Sequence, residues 1–399
     1  MPDLLTHPPA DSVAPPSSFD STPLALASVP TEPVDTVFVE AATPTRLWVP
    51  RRVLITQPAA DLPHTAEIVR RCEAAGVSDI TVMKGNSLTG LRGESERETY
   101  ARAKTTLAVV VAPPSALQPQ PIPPSADWRI DLARGCPAHC QYCYLAGSLA
   151  GPPVTRVYAN LDEVLAGVGT HAGRGSVTSG TIERGHEGTT FEMSCYTDPL
   201  GIEHVTGSLA TAIARIGSGE FGDNVQLRFT TKFDDVNHLL TLPHARRTRV
   251  RFSVNAAEVA NRFEGGTARM PARLTALRAM ALAGYRVGLT IAPIMPIPDW
   301  RTEYGQLLDD VAAAVSDVCD LDLTAEIITH RFTPSSKDVL LGWYPHTRLE
   351  MDEGSRSQKR SKFGGVKYVY PKQTMTQMRA WFVTELEQRL PSARLLYWT

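Results

Sequence analysis

The sequence predicts an α/β protein. A partial (β/α)6 barrel is preceded by a small N-terminal α/β domain and followed by a C-terminal extension with a β-hairpin and a helix. Three observations carry this. Short apolar runs alternate with helix-length amphipathic segments, the mark of parallel strands joined by right-handed crossovers. About six such units fit into roughly 200 residues, too few for a closed eight-fold barrel. The flanking texture differs from the array: Pro-rich before it and basic after it.

Residues 1–45 contain Pro2, Pro8, Pro9, Pro15, Pro16, Pro23, Pro30 and Pro33 among many Ser and Thr. Such a segment cannot bury enough apolar surface to offset its ordering entropy, so a disordered tail is expected. Residues 46–125 read as the small α/β domain. It has strands at 53–55, 80–83 and 107–111, a helix over 64–75 ending at Gly76, and a Pro-rich linker over 113–124. Residues 126–335 carry the barrel. After a first strand, further strands are expected at 191–195, 225–230, 250–254, 287–291 and 323–328. Helices are expected at 202–216, 236–240, 272–283 and 304–316. In such barrels function collects at the C-terminal ends of the strands. Residues 336–399 form the extension: a basic stretch over 356–372 running into an alternating strand at 366–370, a helix over 375–390 and a short strand at 395–398.

Composition bounds the function. The chain has 399 residues, 43% hydrophobic and 21% charged, an ordinary globular balance. Forty Lys and Arg face 42 Asp and Glu, a formal charge of −2, which excludes a uniformly basic nucleic-acid protein but not a local basic patch. No apolar run approaches the roughly 18 residues of a membrane span. Arg46 is the first basic residue, so no charged region precedes the short apolar stretch at 24–27, and a cytoplasmic protein without a membrane span is expected. In a reducing compartment the six cysteines, at 72, 136, 140, 143, 195 and 319, point to metal binding or catalysis rather than disulfides. Cys72 and Cys319 lie in helical surroundings and are read as packing residues.

The sharpest motif is Cys136-Pro137-Ala138-His139-Cys140-Gln141-Tyr142-Cys143, a C-x3-C-x2-C triplet. Three thiolates on one loop can hold three irons of a 4Fe-4S cube and leave the fourth iron open. A structural zinc site with His139 as fourth ligand is the alternative, although the ligands lie closer in sequence than paired knuckles allow. A non-catalytic zinc-containing nucleic-acid-binding protein is the corresponding functional alternative.

The triplet followed by an aromatic and a βα array of this length resembles the radical S-adenosylmethionine superfamily. The resemblance extends to the spore photoproduct lyase family through ordered blocks. These are Gly135-Cys136 to Leu145, Phe191-Glu192 with Cys195, Asp198 and Gly201-Ile202-Glu203-His204, Leu227 to Phe233, and Arg251 to Ala256. Ala283-Gly284-Tyr285 with Ala292-Pro293-Ile294, His330 to Thr333, and Lys367 to Tyr370 complete them. It covers the chain from about Val53 to the end. It implies a lyase that returns the thymine lesion 5-thyminyl-5,6-dihydrothymine to two thymines through a 5′-deoxyadenosyl radical. The implied cofactors are a 4Fe-4S cluster on Cys136, Cys140 and Cys143 and S-adenosylmethionine held by Thr197, Lys232, Ser253, Asn255 and the backbone of Ala292. The implied partners are damaged DNA and an electron donor of flavodoxin or ferredoxin type. A radical enzyme of the same scaffold on another substrate is the runner-up.

Individual residues keep two readings. Cys195 is either a core thiol on an apolar strand or, as the resemblance implies, the hydrogen-atom donor. Tyr142 and Tyr144 either pack over the cluster loop or relay an electron and proton. Lys232 is either a solvated surface charge or a cofactor contact. His330 and Arg331 are either structural or substrate contacts. DNA contacts are expected from the 356–372 segment, with Lys359, Arg360, Lys362 and Phe363 at the hairpin, and from Arg246, Arg247 and Arg249 as a second group. The chain departs from the family pattern at Pro137-Ala138 (for Met-Gly), Tyr196-Thr197 (for Thr-Ser) and Lys362-Phe363 (for Arg-Tyr). Lys there keeps the charge without the guanidinium fork, and Phe keeps the wedge without the hydroxyl.

Overall fold

The computed structural model describes residues 47–149, 151–182, 184–360 and 365–399. The Pro-rich tail, Lys362 and Phe363 lie outside them. Six strands run in chain order: β1 (Ala126–Ile130), β2 (Thr189–Met193), β3 (Val225–Thr231), β4 (Thr248–Val254), β5 (Arg286–Ile294) and β6 (Leu323–Thr329). Each pairs in parallel with the next. The strand Ala393–Trp398 adds in parallel beyond β6, and Gln120–Ile122 adds antiparallel to β1, giving eight strands in one sheet.

Period-two alternation sorts the side chains of these strands. Val250, Phe252 and Val254 of β4 and Leu227 and Phe229 of β3 pack outward into the main core with Leu209 and Ile213, Leu277 and Leu308 of the covering helices. Arg228, Arg249, Arg251 and Ser253 take the other face. Arg228 of β3 is ion-paired with Glu326 of β6, three strands away. A flat sheet would separate them by roughly 14 Å. The sheet therefore curls into a half-barrel and brings its polar face together. Arg251 bridges Glu192 and Glu326 in the same interior.

A second sheet has strands in the order Ile80–Val82, Arg52–Ile55, Thr106–Val110, Thr155–Tyr158, Ala133–Arg134. The expected division at residue 125 is thus not a division between sheets. Two of these strands come from beyond it, and they flank the cysteine loop, so this sheet clamps both ends of that loop. The helix expected over 202–216 is two helices, Glu203–Thr206 and Ser208–Gly217. They break at Gly207 (φ +68°), where the Glu203 carboxylate accepts from the Leu209 and Ala210 amides at 2.8 and 3.0 Å. The segment expected to be helical at 236–240 is a single 3-10 turn, Asn237–Leu239.

In the C-terminal extension Ser357–Arg360 pairs with Val366–Val369 as a hairpin. The helix Lys372–Arg389 then leads to the last strand. Among the described residues no helix is long and apolar enough to cross a membrane.

Candidate active site

The cysteine loop leaves β1 through Gly135, whose φ of +86° lies in the left-handed region. A Cβ there would stand 2.3 Å from the Val154 carbonyl oxygen, so only glycine fits. The Gly135 amide donates to the Tyr196 carbonyl at 2.8 Å, which ties the start of the loop to the residue after Cys195. His139–Cys140 pairs antiparallel with Glu264–Gly265, and the Gln141 amide donates to Phe263 at 2.8 Å. From below, the buried ammonium of Lys104 donates to the carbonyls of Cys136 and Ala138. The Tyr100 hydroxyl bonds His139 Nδ1 at 2.8 Å and also the Tyr344 hydroxyl.

The three thiols lie within electrostatic reach of one another. Burial pushes Cys136 up to about 11 and raises Cys140 and Cys143, while Lys104 and Lys232 pull the other way. A site of this kind favours thiolates once a cationic centre is bound. Three thiols flanked by two ammonium groups thus fit an iron–sulfur cube, in which each thiolate takes a different iron. His139, the candidate fourth ligand of a zinc site, turns its Nδ1 to the Tyr100 hydroxyl.

Beside the loop stands the carboxylate of Glu264. It accepts from the Tyr142 hydroxyl and pairs with Lys232 Nζ at 3.2 Å and Arg273 Nη2 at 2.6 Å. Burial alone would raise it, but Lys232, Arg273 and Tyr142 outweigh burial and hold it at about 2. Lys232 is therefore no solvated surface charge. Its ammonium also donates to Ser253 Oγ at 2.6 Å and lies 5.5 Å from the Tyr142 ring centre. Asn255 is fully buried. Its amide donates to the Pro293 carbonyl at 2.9 Å and its oxygen accepts from Tyr304 and the Ala256 amide, so it fixes the backbone beside Ala292.

β2 ends at Met193 rather than at Cys195. Ser194 takes a left-handed φ of +63°, costly for a non-glycine residue. It is held by its amide donating to Ile130 O at 2.7 Å and by its hydroxyl accepting from the Leu132 amide at 3.0 Å. The turn presents Cys195, half-buried, at the barrel mouth. Burial, then Glu192 and Asp131, push its thiol far up, so it carries its hydrogen. Tyr144 is 65% exposed, and the surrounding protein, ahead of Cys195 and Cys143, pushes its phenol up. Asp198 is buried, which pushes it up to about 6, and accepts from the Lys232 amide at 2.7 Å. Thr197 has a buried hydroxyl without a partner, an open polar position next to Cys195.

The structure corrects several expectations about charge. Arg356 is buried against Tyr370 (3.7 Å to the ring centre) and paired with Glu350, so it belongs to the core and not to a DNA surface. Of the second basic group, Arg249 is buried and forked onto Asp322 at 2.9 Å, and Arg247 pairs with Asp223 at 2.6 Å. Both sit at the N-terminal end of β4, away from the mouth, and neighbouring carboxylates neutralise them. Lys359 and Arg360 stay exposed on the hairpin. His330 is buried, with Nδ1 facing the Arg356 guanidinium at 3.2 Å, while Arg331 is exposed. Cys72 is buried in the helix Pro63–Ala74, but Cys319 is exposed in a turn rather than in helical surroundings.

Lys104, Tyr100, Glu264 and Arg273 were not singled out by sequence reasoning. Their only local signal is a charge or hydroxyl on an otherwise ordinary amphipathic segment.

The family profile described as spore photoproduct lyase matches residues 48–399. The spore photoproduct lyase of Geobacillus sp. (strain Y412MC61) is 38% identical over 352 residues, 88% of this chain and 99% of that protein. The spore photoproduct lyase of Bacillus subtilis (strain 168) is 35% identical over the same shares. A solved spore photoproduct lyase double mutant with bound AdoMet and dinucleoside spore photoproduct superimposes with a TM-score of 0.81 at 37% identity, covering 89% of this chain and all of that one. A spore photoproduct lyase complexed with dinucleoside spore photoproduct gives 0.80 at the same identity and coverage.

Proposed function

This chain belongs to the spore photoproduct lyase family, and from that premise we propose that it is a DNA-repair lyase returning 5-thyminyl-5,6-dihydrothymine to two thymines. The observation that carries the reading is the meeting of the 136–143 loop, Tyr144 and Cys195 at one mouth of the half-barrel, tied by the Gly135–Tyr196 hydrogen bond.

Cys136, Cys140 and Cys143 would hold the 4Fe-4S cluster, and Thr197, Lys232, Ser253, Asn255 and the Ala292 backbone would hold S-adenosylmethionine. When bound and reduced by one electron, this pair supplies a 5′-deoxyadenosyl radical. Lys104 and Lys232 bring positive charge to the thiolates. Cys195 keeps its hydrogen because burial and the carboxylates of Glu192 and Asp131 disfavour the thiolate. Its S–H bond is weaker than a C–H bond, so transfer of that hydrogen atom to a thymine methyl radical runs downhill. Tyr144, which feels the Cys195 and Cys143 thiols electrostatically, would return a hydrogen to the sulfur. Tyr142, bonded to Glu264, is the second member of that relay. A flavodoxin or ferredoxin supplies the electron. The substrate places the enzyme with the chromosome in the cytoplasm, and a lesion inside a duplex must be turned out of the stack to reach the mouth.

The test is anaerobic turnover on a lesion-containing oligonucleotide with mass-spectrometric product analysis. The wild type should release the paired thymines. Cys195→Ala should still open the lesion but leave the methyl radical to other quenchers, giving abnormal thymine adducts and more S-adenosylmethionine consumed per repair. Clean repair by Cys195→Ala removes the donor role. Cofactor cleavage by the wild type with an untouched lesion removes the substrate.

A further inference from the structure

A cavity of about 350 Å³ opens at the end of β1, lined by Ser115, Gln118, Gln120, Arg129, Asp131 and Arg134. Its size is that of a small-ligand site. Its lining is polar, and two of its residues are guanidinium groups. Both lie against the ring of Tyr196, the residue after Cys195, with guanidinium carbons 4.6 Å (Arg129) and 5.1 Å (Arg134) from the ring centre. Such contacts fix the guanidinium planes in advance.

The charge here is not balanced as it is elsewhere in the barrel. Arg228 and Arg251 are matched by Glu192 and Glu326. Among the lining residues Asp131 is the one carboxylate, and Arg134 reaches it only at 3.6 Å. The buried Nε–H donor of Arg134 has no hydrogen-bond partner. Buried polar groups are rarely left so unless something else satisfies them. Ser115, Gln118 and Gln120 add neutral polar groups to the lining.

We propose that Arg129 and Arg134 form a phosphodiester subsite for the lesion strand, placed to hold the backbone while Cys195 faces the thymine. The ligand chemistry follows from the donors. Planar guanidiniums in local excess recognise a singly charged tetrahedral oxyanion by charge-assisted bonds. Any nucleotide whose base reaches Cys195 brings its own phosphates with it, one sugar away. The inference rests on the lesion-repair reading above.

The experiment is calorimetric titration of the reconstituted protein, under anaerobic conditions, with three ligands. They are the dinucleoside lesion, which has no phosphodiester, the dinucleotide lesion, and a lesion-bearing hexanucleotide. The wild type should bind at least one phosphodiester-bearing form about ten-fold more tightly than the dinucleoside. Preference for the dinucleotide places the phosphate within the lesion, and preference for the hexanucleotide alone places it beside the lesion. In Arg129→Gln/Arg134→Gln the preference should vanish while dinucleoside affinity stays within two-fold. Arg129→Lys/Arg134→Lys should keep part of it. Persistence of the preference in the Gln variant overturns the subsite, as does equal loss for all ligands, which would make the arginines structural. Wild-type affinity that ignores the phosphodiester also overturns it. Failure of the wild type to bind any of the three ligands instead overturns the lesion reading and the subsite with it.

Discussion

At the scale of single residues, the most consequential side chain is one with no motif around it. Glu264 joins the strand that backs His139–Cys140 to Lys232, Arg273 and Tyr142. Its acid constant sits at about 2, against an ordinary value of 4.5. A carboxylate depressed on folding contributes stability that is complete above its unfolded value and is lost as pH falls from about 4.5 towards about 2. Glu264→Gln leaves two buried cations with a weaker partner, so it should destabilise the protein by about 3 kcal/mol at pH 7. Denaturant unfolding measured from pH 7 to pH 3 checks this, and the gap between wild type and variant should narrow as the pH falls. A gap that does not change with pH would show that the carboxylate charge is not what the site uses.

At the scale of elements, the hairpin Ser357–Arg360 with Val366–Val369 is an exposed basic arm on a fixed root. Phe332 and Tyr368 exchange backbone hydrogen bonds at 2.8 and 3.2 Å and stack at 5.3 Å, anchoring the arm to the residue just past β6. Lys359 and Arg360 remain free of the core that absorbs Arg356. Neutralising Lys359, Arg360 and Lys362 together should weaken DNA binding and lower the slope of log affinity against log salt by roughly two to three. Cleavage of S-adenosylmethionine in the absence of DNA should persist. Fluorescence anisotropy across a salt series decides it, and an unchanged slope would make the arm a solvated loop.

For the whole molecule, the last strand covers the edge of β6. Ala393–Trp398 pairs along β6, Tyr397 donates to Glu326 at 2.9 Å, and the Thr329 amide donates to the Thr399 carbonyl at 2.7 Å. Removing residues 393–399 would bare the edge of β6 and take one partner from a carboxylate that holds Arg228 and Arg251. The truncated chain should lose about 4 kcal/mol of stability and gain a tendency to associate. Thermal unfolding with size-exclusion chromatography tests this, and a monomer melting at the wild-type temperature would contradict it.

The sequence by itself determined what depends on near neighbours. Strand and helix alternation placed five of the six parallel strands to within a few residues, because pleat and helix periods are local. The C-x3-C-x2-C spacing put three thiols on one loop. The tertiary structure alone decided which charges are solvated and which are spent. Arg249 meets Asp322 across 73 residues and Lys104 meets the Cys136 carbonyl across 32. Nothing in the local pattern of Arg356 distinguishes it from Lys359, yet one stacks on Tyr370 in the core and the other faces water. Likewise the strand Thr155–Tyr158 joins the lead-in sheet rather than the barrel because its hydrogen-bonding edge fits beside Thr106–Val110. A buried charge survives only where the fold delivers an opposite partner, and that delivery is set by the packing of distant segments rather than by the residues alongside.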